Sequence, residues 1–261
     1  MEQPPPISEA EAPTPKPPPM SLMARLMNIF AAPGEVFDDI KNSPANVSNW
    51  FVPMLLLLVI SWTGTGIILS QEAFRHQISE LADKSVEKQI EKFHMTEQQA
   101  EMQRKGAQIG WKINAVAGPA IVACVTPFCW GFFIWLVGRA AFKAKNLRYM
   151  KAVEVVGLAS AISILEVVLK TLLILVTGNI LASTSLAVFL KEFNPQNPIH
   201  GLLTIVNVMT FWVLAVRAIG LARVASASIG WAIAWVFGIW LSYTALFWGI
   251  GVAVQHIFAK K

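Results

Sequence analysis

The chain has 261 residues, of which 55% are hydrophobic and only 14% charged, with a formal net charge of +5. A soluble domain carries about 25% charged residues, so the composition excludes an ordinary soluble class and points to one dominant membrane domain. The positive charge does not indicate a nucleic acid partner, because the basic residues gather at the ends of apolar segments and not on one soluble face.

Residues 1–19 hold eight prolines, among them Pro4, Pro5, Pro6, Pro13 and Pro17, without the apolar side chains that offset ordering entropy. A disordered Pro-rich tail is expected, and its PxxP spacing from Pro15 to Pro18 is read as a plain tether. Glu2, Glu9 and Glu11, with no basic start leading into an apolar core, argue against a cleavable signal peptide. The first span is then the insertion signal.

Residues 20–47 read as an amphipathic interfacial segment. Leu22, Met23, Leu26, Met27 and Phe30 recur at helical spacing while Arg25 and Asn28 lie off that stripe, the pattern of a helix lying on a membrane surface. A second short helix is expected from Pro33, since proline suits a first helical position and Glu35, Asp38 and Asp39 sit where the helix dipole favours acids. Val36, Phe37 and Ile40 then face lipid or the bundle.

Residues 48–261 contain five long apolar stretches: Phe51–Ser70, Ile113–Val137, Val153–Gly178, Leu202–Ala222 and Ile229–Val254. A hydrocarbon core of about 30 Å needs roughly 20 helical residues, and each stretch meets that length. The expected fold is all-α: a polytopic membrane protein with five transmembrane helices, an N-terminal amphipathic interfacial helix and an outer helical hairpin. The hairpin comes from the connection 71–112, where Phe74, Ile78 and Leu81, then Val86, Ile90 and Phe93, repeat at helical spacing. Thr96 followed by Gln99 reads as a capping box that starts a helix feeding the second span.

The segment Gly138–Ala152 carries Arg139, Lys143, Lys145, Arg148 and Lys151 and no acid, which places it and the amino terminus in the cytoplasm by the positive-inside rule. The connection Asn179–Gly201 has only Lys191 and Glu192. Against this stand seven Lys/Arg in 71–112, offset by seven acids.

An ionisable group inside a span costs roughly 3 kcal/mol to desolvate and is a functional hypothesis by default. Glu166 and Lys170 are the candidates, one helical turn apart in the order that favours an intrahelical ion pair. The pair either neutralises itself facing the bundle interior or handles a proton or substrate. Glu154 and Arg217 lie close enough to span ends to snorkel to the headgroups, and Asn114 and Asn207 are candidates to bridge helices. In the last span Gly230, Ala234, Gly238 and Ser242 recur every fourth residue, a helix-packing face that admits close backbone approach to a helix of this or another chain. Cys124 and Cys129 point to different sides of one helix, so neither a disulfide nor a metal site is expected, only small apolar packing.

The stretch Ala32-Pro-Gly-Glu-Val-Phe-Asp-Asp-Ile-Lys-Asn-Ser-Pro44, followed by Trp50-Phe-Val-Pro53 opening the first span, resembles the bacterial branch of the Yip family, membrane proteins named for interacting with Ypt/Rab GTPases. Arg148-Tyr-Met-Lys-Ala-Val-Glu-Val and Phe211-Trp-Val-Leu-Ala-Val-Arg-Ala-Ile-Gly-Leu-Ala resemble that family's start of the third span and its late tryptophan-to-glycine stretch. The resemblance covers Leu22 to the last span and implies a five-span bundle with a cytoplasmic amino terminus. For eukaryotic members it implies vesicle trafficking and membrane shaping. Their Asp-Leu-Tyr-Gly-Pro motif is absent here, and Gly118-Pro119 shares only its last two residues inside an apolar span, so Rab binding is not carried over.

Without an HExxH, a GxSxG or a cluster of His and acids, no enzyme activity, catalytic residue or cofactor is expected. Two function classes follow. The first is a nonenzymatic scaffold or adaptor in the bacterial cytoplasmic membrane, with the lipid bilayer and other membrane proteins or a second copy of the chain as partners. The second is a small transporter or channel in which Glu166 and Lys170 line a path.

Overall fold

The computed structural model describes residues 18–93, 95–190 and 197–259. The tail expectation for residues 1–17 and the charges Lys191 and Glu192 lie outside them. The described residues are helical apart from short connections and one isolated bridge between Ser185 and Asn207. Five helices are long and apolar enough to cross a membrane, and the protein is an all-helical integral membrane protein.

Two short helices come first, α1 (Leu22–Asn28) and α2 (Pro33–Asn42). Ser21 caps α1 by accepting from the Ala24 N–H, and Pro33 opens α2 where its missing N–H costs nothing. Val36, Phe37 and Ile40 are wholly buried against the bundle, so of the two faces open to them they take the protein and not the lipid. Phe30 meets Trp212 edge to face at 5.9 Å. Met23 and Met27 of α1 point outward and are about two-thirds exposed.

The first span is α3 (Ser48–Ser70), followed by α4 (Glu72–Phe93). Next comes α5 (Glu97–Ala140), a continuous helix of 44 residues that joins the second hairpin arm to the second span. Its start carries the capping box read from the sequence, with Thr96 and Gln99 each accepting from the other's backbone N–H. Pro119 removes one rung inside α5, and in that turn the Trp62 indole N–H of α3 donates to the Val116 carbonyl at 2.9 Å. The third span, α6 (Tyr149–Thr177), is the axis of the fold, buried without interruption from Ala152 to Ile162. It ends at Gly178, whose φ of +64° is the left-handed cap that glycine adopts without strain.

The fourth apolar stretch is not one helix. It divides into α7 (Pro198–Ile205) and α8 (Val208–Ala225), with Val206 and Asn207 in extended backbone between them. The last span is α9 (Ile229–Ala259). The main core joins α2 with α5, α6, α8 and the Ala232, Val236 and Trp240 face of α9. Close packing at its centre depends on missing side chains: a Cβ on Gly157 would lie 2.3 Å from the Trp50 Cα, and one on Gly220 2.3 Å from Val155 Cγ1.

The helices alternate in direction, so α1, α2, the start of α6 and the end of α8 share one end of the bundle, the platform end. Lys41 Nζ reaches Ser226 Oγ there at 2.7 Å. At the opposite end Gln77 of α4 donates to the Gly178 carbonyl and accepts from the Ile180 N–H, while Phe74 packs on Ile174 and Ala182. These contacts dock the α4–α5 hairpin onto the bundle.

Candidate functional site

Asn207 is the residue on which the broken fourth span turns. Its side-chain Oδ1 caps α8 by accepting from the Met209 N–H at 2.9 Å, and it accepts also from Thr184 Oγ1 at 2.9 Å. Its Nδ2 donates to Glu166 Oε1 at 2.5 Å. One amide thus ties α6, the 183–185 segment and the α8 start together. The positive end of the α8 dipole adds to this setting, since it favours a carboxylate beside the first turn. Backbone outside regular structure survives at membrane depth only where protein buries it or it lines a cavity. The break fits that rule, because the Val206 carbonyl accepts from the Leu186 N–H at 3.0 Å.

Glu166 stands between two cavities. The larger, about 400 Å³, opens toward the hairpin end and is lined by Glu166, Lys170, Thr177, Ser183, Thr184, Thr204 and Asn207 among others. The smaller, about 140 Å³, lies deeper between α6, α8 and α9, where Glu166 meets Ser163, Thr210, Arg217, Trp240 and Tyr243. The expected ion pair of Glu166 with Lys170 is not made. Ion pairs are formed by Arg25–Asp39, His76–Glu80, Glu101–Lys105, Lys151–Glu154 and Asp38–Arg223. Lys170 is exposed and lines the larger cavity, while Glu166 is half-buried and turns to Asn207. A neutral amide at hydrogen-bond distance wins over an ammonium on a long stem that solvent or headgroups can reach.

Arg217 does not snorkel. It is 94% buried by area, with a relative exposure of 6%, and its guanidinium carbon sits 4.7 Å above the Trp130 ring. Its Nε is sealed from solvent with no hydrogen-bond partner, and the side chain makes no hydrogen bond or ion pair to any described residue. Stacking on Trp130 offsets part of the charge's desolvation. It lines the smaller cavity and packs on α5 through Trp130.

Glu154 also stays inside, and for a different reason. With a relative exposure of 1%, its carboxylate accepts from Asn49 Nδ2 at 2.7 Å, from the Asn46 N–H at 3.2 Å and from Lys151 Nζ at 3.2 Å. Asn49 Oδ1 accepts in turn from Arg25 Nη1 at 2.9 Å, and Arg25 Nε pairs with Asp39 at 2.8 Å. Arg25, which the helical stripe of α1 set apart from its apolar face, is therefore buried as the hub of a clamp. Lys151 extends the clamp by donating to the Ile40 and Pro44 carbonyls. Every charge in this network is paired and hydrogen-bonded, the condition under which buried ions are tolerated.

The small-residue stripe of α9 faces away from the bundle. Gly230, Ala234 and Ser242 are exposed, a Cβ on Gly238 would meet nothing within 4 Å, and the buried face is Ala232, Val236 and Trp240. No helix among the described residues packs on that stripe. Cys124 and Cys129 are likewise exposed on α5 and do not fill the core. Asn114 is exposed and bridges no helix among the described residues, whereas Asn207 does bridge helices. Arg25, Asn49 and Asp39 escaped the sequence reading as a unit, because partners 14 and 24 positions apart leave no periodic signal. The α8 start was visible in principle as an Asn followed by an apolar run, the signature of an N-cap.

Comparison with protein-family models, with curated proteins and with solved structures finds no match to this chain.

Proposed function

We propose that the protein is a nonenzymatic membrane scaffold or adaptor of Yip-like type, seated in a bacterial cytoplasmic membrane with its amino terminus inside. The observation that carries this reading is the clamp of Arg25, Asp39, Asn49, Glu154 and Lys151. It fixes α1 and α2 to the bundle as a rigid platform that shares one end with the basic segment 139–151. A shared end supports the common cytoplasmic placement argued from charge. The platform holds an open groove of about 670 Å³ between α2 and the end of α8, bordered by Gly34, Asp38, Lys41 and Arg223. On α1, Met23 and Met27 offer adaptable apolar contact to a headgroup layer or a partner protein.

The test is recovery of partners from native membranes by the full chain, by a form lacking residues 1–19, and by Met23→Glu/Met27→Glu. Removing residues 1–44 is unsuitable, because it also deletes Arg25 and Asp39. A scaffold loses partners in at least one altered form while its fold persists. Identical recovery from all three sinks the platform as the working surface.

A second reading, a small solute or ion carrier, is favoured by one feature: the break at Val206–Asn207 beside Glu166, with a polar cavity on either side. Half-helix ends pointing into a cavity are the usual way a span holds a polar solute. Flux into proteoliposomes of the full chain, absent in Glu166→Gln, is the measurement that supports it; no flux of any ion or solute tried, under an imposed gradient, removes it.

A further inference from the structure

The 140 Å³ cavity between α6, α8 and α9 carries two opposite charges that are not paired with each other. Arg217 makes no hydrogen bond or ion pair to a described residue, and its sealed Nε is unsatisfied. Glu166 spends one oxygen on Asn207, which leaves the other without a hydrogen bond to a described residue. The hydroxyls of Ser163, Thr210 and Tyr243 border the same space and make no hydrogen bond to a described residue. Such a set is costly to hold at membrane depth unless something completes it.

The charge balance decides what completes it. A simple anion would satisfy Arg217 but place a second negative charge beside Glu166. A simple cation would do the reverse, leaving Arg217 bare. A molecule carrying both charges compensates both walls at once and adds no net charge to the bundle. At roughly 30 Å³ for each water-sized group, the space holds about four or five such groups. The larger cavity shares Glu166 as a wall and lies toward the hairpin end.

We infer that this cavity binds a small zwitterion, a primary amine and a carboxylate one or two carbons apart, with the carboxylate on the Arg217 guanidinium and the ammonium on Glu166. The Ser163, Thr210 and Tyr243 hydroxyls complete the carboxylate shell. The site belongs to the carrier reading in its location but does not rest on transport: binding without flux removes the carrier reading and leaves the site standing.

The test is thermal unfolding of the purified full chain in detergent against four probes at matched concentrations: glycine, L-alanine, sodium acetate and ethylammonium chloride. Saturable stabilisation by glycine or L-alanine, and not by acetate or ethylammonium, is expected. Arg217→Gln and Glu166→Gln should each weaken that binding by about tenfold or more, the loss of one charge-assisted contact, while Lys105→Gln, on the exposed start of α5, leaves it unchanged. The four-probe comparison needs no variant, so a misfolded mutant cannot hide the answer. Equal stabilisation by acetate makes it an anion site, equal stabilisation by ethylammonium a cation site, and no stabilisation by any probe a water-filled bridge between Arg217 and Glu166. Each of these three outcomes overturns the inference.

Discussion

Glu166 and Asn207 are joined by a 2.5 Å hydrogen bond across the break in the fourth span, while Lys170, one turn along from Glu166, forms no ion pair with it. The energetic partner of Glu166 is thus an amide on another helix. A double-mutant cycle between Glu166→Leu and Asn207→Leu should give a coupling of about 1 kcal/mol, above the average for hydrogen bonds in membranes because the acceptor is a carboxylate. The cycle between Glu166→Leu and Lys170→Leu should give close to zero. Unfolding in mixed micelles measures both, and a larger coupling to Lys170 contradicts the assignment.

Arg25→Ala strips the clamp of its hub, leaving the Asp39 carboxylate without its cation and Asn49 Oδ1 without its donor. A loss of about 3–5 kcal/mol is expected, as for other buried pairs broken on one side. The first consequence should be local: protease should cut in the α1–α2 region of Arg25→Ala before it cuts the spans. Resistance equal to that of the parent chain argues against the clamp.

Gly157→Ala should cost about 1–3 kcal/mol, the usual range for overpacking, because the added carbon meets the Trp50 backbone at 2.3 Å and backbone cannot swing aside. Gly238→Leu is the contrast. Its added side chain enters open space, so stability of the single chain should hold. If the α9 stripe joins two copies, assembly size in detergent should fall with Gly238→Leu while the fold stays intact; unchanged assembly size counts against that face.

The two ends of the bundle should label differently. In a Cys124→Ala/Cys129→Ala background, needed because both thiols are exposed, Ser79→Cys should react with an impermeant maleimide in intact cells and Lys145→Cys only after permeabilisation. The reverse pattern inverts the orientation.

Which features could be read in advance follows from the range of the forces involved. Span lengths and the Thr96 capping box were legible, since hydrocarbon thickness and the orphan N–H groups of a helix start act on neighbouring residues. The fates of Glu154 and Arg217 were not. Sequence shows how far each lies from a helix end, which permits snorkelling, but not that Asn46 and Asn49 hold one and Trp130 stacks on the other. The break at Val206–Asn207 was half visible, since Asn207 carries an N-cap signature but nothing before it signals a helix stop. It falls in an apolar run with no glycine or proline beside it, and its cause is the bridge to Ser185, 22 positions earlier.

At 1.5 Å per residue, the 44 residues of α5 make a rod about 66 Å long, more than twice a hydrocarbon core of about 30 Å. One continuous helix, interrupted in its hydrogen-bond ladder only at Pro119 and Pro127, therefore begins among the exposed residues of the hairpin and finishes at Ala140, beside the basic loop. A tilt of only about 10° around its loop end would carry the hairpin tip sideways by roughly 11 Å. Pulling or crowding at that tip would then reach the basic loop along one continuous helix that crosses the bilayer.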